Sequence, residues 1–192
     1  MRRNYYLILV AFCFLIPNGM AQSRHSYRIG EVASDFKLKN VDGSIVSLSS
    51  FSEAKGFVVI FKGNECPFDK AYEQRIKSIF HKYSDKGCTF LSINSNNSST
   101  PLKATGSNLL FPHLKDEGCV ISKKFGVIRT PHVFLLNSDY KVLYSGAIDG
   151  SVFEQENIKV HYLENALDAF LNGKNIMEPI TKAVGCAIPE SN

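Results

Sequence analysis

Alternating polar and apolar residues predict a β-hairpin near the start of the folded part of the chain. Residues 35–39 alternate, as do residues 45–48, and Asp42 and Gly43 lie between the two runs. An Asp-Gly pair between alternating runs is a strong hairpin signal. Residues 56–61 are then apolar or glycine throughout, which is typical of a strand buried on both faces.

The spacing of apolar residues changes to that of a helix after residue 66. The apolar stripe consists of Tyr72, Ile76, Ile79, Phe80 and Tyr83. Residues 85–87, ending in glycine, close this predicted helix. Residues 88–93 form the next apolar run. A strand, a helix and a strand in this order form a βαβ unit, so the two strands are expected to be parallel.

The second half of the chain predicts a mixture of short elements. Residues 133–136 and 141–144 are expected to pair as an antiparallel hairpin. Further predictions are a surface insertion over residues 94–108, a turn over 111–114, a short helix over 119–125 and an amphipathic helix over 160–171. Together these patterns predict an α/β fold, with a mixed sheet and helices on both of its faces.

The first 21 residues have the pattern of a secretory signal peptide. Arg2 and Arg3 precede an apolar run over residues 5–16, which a Pro-Asn-Gly sequence ends before Ala21. The run is shorter than the roughly 20 residues of a spanning helix. We expect cleavage after Ala21, with an uncleaved membrane anchor as the alternative. The protein is then exported, periplasmic or extracellular, and not inserted in the membrane after cleavage.

Length and charge narrow the class of protein. The 192 residues are 44% hydrophobic, which suits one domain over residues 22–173 with an irregular tail over 174–192. Removing Arg2 and Arg3 from the 22 basic residues leaves 20, against 18 acidic residues. The mature chain is therefore almost neutral, and its longest basic run is a lysine pair. Nucleic acid is not an expected partner.

Four cysteines remain after cleavage: Cys66, Cys88, Cys119 and Cys186. Exported proteins fold where disulfides can form. Four cysteines allow three sets of two disulfides, and their spacing does not choose among them. The domain is too large to need disulfides as its main scaffold, so a catalytic use of some of these cysteines is open.

Cys66 is the strongest candidate for chemistry. It follows a predicted buried strand and precedes the amphipathic helix, so it is expected at the helix N-terminus. Unpaired backbone N–H groups and the helix dipole there favour an anion, and the thiolate is the reactive form of cysteine. Pro67 suits the first helical position, and Lys70 adds a positive charge one turn later. The alternative is a buried structural thiol.

A second motif is the sequence Arg129-Thr130-Pro131 before the predicted strand over residues 133–136. Proline is permitted where a strand opens, and a cis peptide bond there is a deliberate turn. The Thr-Pro pair is common in proteins, so it indicates a functional site only in combination with Cys66.

With both motifs present, the chain resembles the thioredoxin superfamily and in particular its AhpC/TSA, or redoxin-like, branch. The similar stretches are residues 29–36, 57–75 and 111–136, and residues 64–76 resemble a subgroup with an Asn-x-Cys-Pro site. The resemblance implies a thioredoxin-like three-layer α/β/α sandwich with a mixed central sheet and an N-terminal β-hairpin. It also implies that Cys66 is the attacking cysteine and that Thr130 and Pro131 form a cis-proline bend facing it.

The chain departs from that family at several positions. Asp69 stands where dithiol thioredoxins have their second cysteine. Gly63 stands where some subgroup relatives have a cysteine and typical peroxiredoxins have Thr or Ser, and Pro131 falls near the place of a peroxiredoxin arginine. Arg75 and Arg129 are the candidate replacements for that arginine.

A lone attacking cysteine needs a partner that resolves the oxidised form. Cys119 and Cys186 are the candidates, and the sequence slightly favours Cys119, which opens the predicted short helix. The alternative for both is a structural disulfide or surface thiols. Cys88 opens a central strand, where cysteine is most often a small buried apolar residue.

The functional prediction is an oxidoreductase that uses Cys66 on a protein disulfide or dithiol, or on a peroxide, and is reduced by an upstream thiol donor. The alternative is a non-catalytic thioredoxin-fold binding module, which the missing second cysteine favours. No cofactor is expected. His113 and His132 lie near the site in sequence, but their spacing matches no common metal-ligand motif, so no metal is expected.

Overall fold

The structure is a computed structural model that describes residues 26–63, 65–95, 110–153 and 158–188. The predicted signal peptide and most of the predicted 94–108 insertion lie outside these residues, as does Asn64 of the Asn-x-Cys-Pro motif.

A mixed seven-stranded sheet forms the centre of the molecule, in the order β2-β1-β5-β4-β3-β7-β8. The strands are β1 (Lys37–Asn40), β2 (Ile45–Ser47), β3 (Gly56–Lys62), β4 (Cys88–Asn94), β5 (His113–Lys115), β7 (His132–Asn137) and β8 (Val142–Gly146). A separate two-stranded sheet pairs β6 (Arg129–Thr130) with β9 (Cys186–Ala187). The helices are α1 (Pro67–Tyr83), α2 (Val120–Lys124) and α3 (Tyr162–Leu171).

The predicted pairings are confirmed. Strands β1 and β2 form the antiparallel N-terminal hairpin. Strand β3 lies between parallel β4 and antiparallel β7, and β7 pairs with antiparallel β8. Helix α1 connects β3 with β4, which completes the predicted βαβ unit.

The central strand is apolar throughout because both of its faces are covered. Phe57, Val59 and Phe61 pack into a cluster with residues of α2, whereas Val58 and Ile60 pack into a second cluster with α1 and α3. Successive side chains of a strand point to opposite faces, so a strand between two helical layers needs an unbroken apolar run. Each such fully buried side chain contributes about 1.5–3 kcal/mol.

Two segments differ from the sequence predictions. Residues 113–115, expected in a turn, form β5, which pairs with β4 and β1 and joins the hairpin to the rest of the sheet. The tail beyond α3 is mostly irregular, but Ile180 bridges to Ser145 and residues 186–187 form β9. The tail therefore docks on the domain at two places.

No helix within the described ranges is long and apolar enough to cross a membrane.

Candidate active site

Cys66 lies at the junction between sheet and helix, as predicted. It is the N-cap residue of α1, with extended backbone angles, and Pro67 occupies the first turn. The Cys66 side chain makes no capping hydrogen bond to the helix. The first N–H groups of a helix have no intrahelical partner, and a cysteine at such a terminus is in a position that favours a thiolate.

The partner of Cys66 in the structure is Cys186. The two form a disulfide across 120 residues of chain, with their Cα atoms 5.9 Å apart. The bond brings the tail over the helix N-terminus, and Cys66 is only 5% exposed. The structure therefore pairs Cys66 with Cys186, whereas the sequence slightly favoured Cys119 as the partner; which cysteine resolves Cys66 stays a prediction.

The physical reason is that Cys119 lies within the domain and makes contacts of its own. It is 1% exposed, and its thiol donates a hydrogen bond to the carbonyl oxygen of Ser95 at 3.1 Å. Ser95 also binds Ser122, whose hydroxyl donates to Asp116 at 2.6 Å. Burial, followed by the nearby Asp116 carboxylate, raises the pKa of the Cys119 thiol. These contacts are those of a structural thiol.

Cys88 is the other free cysteine among the described residues. It opens β4 and packs in the apolar cluster beneath α1. Burial raises the pKa of its thiol to about 11. The prediction of a small buried apolar residue agrees with this position.

The Thr130–Pro131 bend faces the disulfide. The peptide bond between these residues is cis. The Sγ atom of Cys66 lies 3.5 Å from the carbonyl oxygen of Thr130. The structure therefore brings together Cys66, Thr130 and Pro131, as the resemblance implied, and adds Cys186 from the tail.

Asp69 is a site residue that the sequence analysis treated only as a missing cysteine. It lies one turn after Cys66 and is 3% exposed. Its Oδ2 atom accepts a hydrogen bond from the backbone N–H of Gly63 at 2.7 Å, and the Thr130 hydroxyl also donates to the carboxylate. Its Oδ1 atom is buried without a hydrogen-bond partner among the described residues.

Burial dominates the electrostatics of this carboxyl group. Desolvation raises the pKa of Asp69 to about 6, against the opposing effects of the Gly63 N–H, the Lys62 charge and the Thr130 hydroxyl. A Cβ atom at Gly63 would lie 3.5 Å from both Asp69 Oδ2 and Cys66 Cβ. Asp69 and Cys66 therefore flank the same glycine. Ionised Asp69 opposes a thiolate at Cys66, whereas the helix N-terminus favours it.

Gly63 lies in close packing with these groups. A Cβ atom there would also lie 3.0 Å from the Thr130 hydroxyl oxygen, closer than most side chains approach. The bend, the buried carboxylate and Cys66 meet at this one residue, so a side chain there would require the Thr130 hydroxyl to move by a few tenths of an ångström.

Lys70, predicted to stabilise the thiolate, is exposed on the first turn of α1. Its backbone N–H donates to the Cys66 carbonyl at 3.3 Å. Its position near the helix N-terminus agrees with the prediction, while its electrostatic role stays a prediction.

The two arginines considered as peroxide ligands have other partners. Arg75 forms a buried ion pair with Asp149 at 2.6 Å and donates to the carbonyl groups of Ser151 and Val152. Arg129 donates to the Gly185 carbonyl of the tail at 2.9 Å. Each guanidinium group thus has a structural role in the arrangement seen here.

The two histidines near the site are half-buried, and desolvation lowers the pKa of each ring. Burial lowers the pKa of His132 to about 4, and its ring stacks on Phe134 with its Nε2 atom 2.9 Å from the Ser145 hydroxyl. Burial also lowers the pKa of His113 to about 4. Within the described ranges, no group of three or more His, Cys, Asp and Glu side chains is arranged to hold a metal ion.

Comparison with known proteins adds family evidence to this geometry. The AhpC/TSA family model matches residues 29–145. A curated relative, the thiol-disulfide oxidoreductase ResA of Bacillus thuringiensis subsp. konkukian, is 27% identical over 143 residues, which cover 71% of this chain and 82% of the relative.

Solved structures show the same fold. An uncharacterised conserved protein from Geobacillus kaustophilus is 30% identical with a TM-score of 0.77, covering 85% of this chain and 93% of its own. A putative thiol:disulfide interchange protein DsbE from Chlorobium tepidum has a TM-score of 0.62 at 22% identity, covering 76% and 99%. The second likeness supports the thioredoxin-like fold alone.

These findings confirm the predicted thioredoxin-like α/β fold and the predicted class, a thiol-based oxidoreductase of the redoxin type. The family match spans β1 to β8 and includes both Cys66 and the cis-proline bend. The tail that carries Cys186 lies beyond it. The chain belongs to the AhpC/TSA family.

Proposed function

We propose that the protein is a thiol-disulfide exchange enzyme in which Cys66 attacks and Cys186 resolves. The observation that carries this proposal is the disulfide between the helix N-cap cysteine and the tail cysteine, set against the cis-proline bend. A disulfide that only fastened the tail to the domain could use any surface cysteine. This one uses Cys66, whose position at a helix N-terminus favours a thiolate.

The reaction follows from the position of each sulfur. The reduced Cys66 thiolate attacks one sulfur of a client disulfide, and the other client sulfur leaves as a thiolate that takes up a proton. Cys186 then loses its proton and attacks the Cys66 sulfur, which releases the client as a dithiol. Two electrons pass from the chain to the client, and the product is the Cys66–Cys186 disulfide of the structure. An upstream dithiol donor restores both thiols.

Disulfide exchange is supported over peroxide reduction by the two arginines. Arg75 neutralises buried Asp149, and Arg129 holds the tail. Gly63 supplies no hydroxyl near Cys66. A peroxide would need donors to its oxygen atoms, whereas disulfide exchange needs only a thiolate and an exposed edge for the client.

Trapping of the mixed disulfide tests this function. Reduced Cys186→Ser chain is mixed with a disulfide-bonded client peptide, and the products are mapped by mass spectrometry under non-reducing conditions. We expect a stable adduct on Cys66, which does not form in Cys66→Ser. Cys119→Ser is the matched control and should turn over like the unsubstituted chain. Exchange that survives Cys66→Ser would refute the enzyme assignment and leave the non-catalytic binding module.

We also infer that the enzyme acts outside the cytoplasm, with residues 1–21 removed as a signal peptide and residues 22–173 and 174–192 forming the domain and its tail. The sequence pattern of residues 1–21 and a disulfide in the functional site support this inference. N-terminal sequencing of protein recovered from the cell envelope or medium tests it. A chain that begins at Met1 there would refute the cleavage.

A further inference from the structure

The tail docks on the domain through an anchor that does not involve cysteine. The Thr181 N–H donates to the carbonyl oxygen of Ser145 in β8 at 3.0 Å, and the Ser145 N–H donates to the carbonyl oxygen of Pro179 at 2.9 Å. The Thr181 hydroxyl lies 2.6 Å from the Tyr144 hydroxyl. The Ala147 N–H donates to the same Thr181 hydroxyl at 2.9 Å. This anchor fixes one end of the segment that reaches the active site.

The second contact lies at the active site and is smaller. Strand β9 pairs with β6 so that Cys186 lies opposite Thr130 and Ala187 opposite Arg129. The Arg129 guanidinium holds the Gly185 carbonyl, and the Ile188 N–H donates to the carbonyl oxygen of Ile128 at 3.1 Å. Most of these contacts involve the tail backbone, so they fit any extended chain rather than this sequence in particular.

Gly185 is the exception, because a side chain does not fit there. A Cβ atom at Gly185 would lie 1.8 Å from the Thr130 carbonyl oxygen and 3.1 Å from the Pro131 nitrogen. Both of these atoms belong to the rigid bend rather than to a flexible side chain. The residue before the cysteine must therefore be glycine for the strand to approach β6 this closely.

A client sulfur that exchanges with this site must bond to the same Cys66 sulfur that Cys186 bonds. The chain on either side of the client cysteine then meets the same edge, formed by residues 128–130. The tail and the client therefore compete for one strand position, and the steric limit beside Thr130 applies to both.

We propose that the edge of β6 on which β9 lies is a docking strand for an extended client segment in which glycine directly precedes the reactive cysteine. The protein's own Gly185-Cys186 pair is the internal occupant of that position. The inference rests on the proposed thiol-disulfide exchange at Cys66 and adds the substrate class. When the Cys66–Cys186 bond is reduced, residues 182–188 lose their covalent link to the domain. They are then held by the contacts with residues 128–130 and by the packing of Ile188 against the core, and a client strand displaces them.

Two matched peptides test this specificity. One has the tail sequence Lys-Ala-Val-Gly-Cys-Ala-Ile, and the other has alanine in place of its glycine. The Cys13→Ala/Cys186→Ser chain is first converted at Cys66 to the mixed disulfide with thionitrobenzoate, and peptide mapping verifies the labelled residue. Each peptide thiolate then attacks the Cys66 sulfur, the Cys66–thionitrobenzoate bond breaks, and the released thionitrobenzoate anion is followed by absorbance.

We expect the glycine peptide to react at least tenfold faster than the alanine peptide, after correction for their rates with free glutathione–thionitrobenzoate disulfide. Adding Gly185→Ala to the chain should accelerate the glycine peptide severalfold, since the chain's own tail can no longer occupy β6. A purely structural role for Gly185 would not produce a faster reaction.

The two proposals fail in different ways. Equal rates for the two peptides, or slower reaction after Gly185→Ala, would overturn the docking strand, while release by 2-mercaptoethanol would still support exchange at Cys66. If neither a peptide nor 2-mercaptoethanol releases thionitrobenzoate from the folded chain, exchange at Cys66 fails, and the docking inference fails with it.

Discussion

Replacing Asp69 with asparagine should change how the stability of the protein depends on pH. Burial raises the pKa of this carboxyl group from 3.8 to about 6. The folded chain therefore binds its proton more tightly than the unfolded chain. As pH rises from about 4 to about 6, the unfolded chain ionises first, so the free energy of unfolding decreases.

The size of the effect follows from the two pKa values. One pKa unit corresponds to about 1.4 kcal/mol, so ionising Asp69 inside the fold costs about 3 kcal/mol of stability by pH 7. Asparagine carries no charge and keeps an oxygen that accepts the Gly63 N–H. Relative to the unsubstituted chain, Asp69→Asn should gain about 2–3 kcal/mol between pH 4 and pH 7.5.

Urea unfolding of the oxidised proteins at a series of pH values measures this difference. Asp69→Ala is the matched control, because it also lacks the ionisable group but loses the acceptor for Gly63. The two variants should differ from each other by an offset that does not depend on pH, and both should show the same gain over the unsubstituted chain as pH rises. If the free energies of unfolding of Asp69→Asn and the unsubstituted chain differ by the same amount at every pH, the conclusion that burial raises the pKa of Asp69 is refuted.

Three further predictions concern the surroundings of the site. Cys186→Ser should lower the free energy of unfolding of the oxidised protein by up to about 5 kcal/mol, because the disulfide closes a loop of 120 residues. Cys119→Ser is the control and should keep that disulfide. Equal losses for the two variants in urea unfolding would contradict the Cys66–Cys186 pairing. Asp149→Asn should cost about 3–5 kcal/mol by leaving the Arg75 charge buried without its counter-ion, and a loss below 1 kcal/mol in the same assay would argue against a buried pair. Burial lowers the pKa of His132 to about 4, so its ring NMR signals should not shift between pH 5.5 and 8 in the folded chain. The free energy of unfolding should decrease as pH falls from about 6.5 towards 4, because the unfolded chain takes up the proton first. A titration midpoint of the ring signals near 6.5 would show that the ring is exposed.

Local patterns were sufficient to predict the central fold and the position of Cys66 at a helix N-terminus. The apolar run of β3 and the helical stripe after it place Cys66 at a helix N-terminus wherever the rest of the chain goes. The apolar run after Pro131 likewise predicts strand β7 from neighbouring residues alone. These predictions succeeded because each depends on residues that are neighbours in sequence.

The parts that sequence could not predict depend on distant contacts. Strand β5 has three residues, too few for a clear alternation, and exists because β4 and β1 bind its two edges. The Cys66–Cys186 pairing is accompanied by the Thr181 anchor and by a close approach of Gly185 to Thr130, and both are contacts between residues far apart in sequence.

Asp69 is a different case, because a sequence signal was present. It precedes Tyr72 by three residues and Ile76 by seven, which places it on the same buried stripe of α1. An acidic residue on the apolar face of a helix, one turn after a candidate nucleophile, predicts a carboxyl group with a raised pKa. The sequence analysis noted only that Asp69 replaces a cysteine, whereas its place on the apolar face of the helix was the signal that it belongs to the site.

In the proposed reaction, a resolving cysteine on the tail links two steps that a helical cysteine pair keeps separate. With both cysteines in one helical turn, the resolving thiol stays beside the attacked sulfur whether or not a client is bound. Here Cys186 reaches Cys66 only when β9 lies on β6, so the effective concentration of the resolving thiol depends on how well the tail docks. Tighter docking speeds release of the client but also excludes the next client from the same edge. On this proposal, the hydrogen bonds between β6 and β9 would govern both rates: a tail that bound more strongly would form the disulfide faster but would slow the binding of the next client.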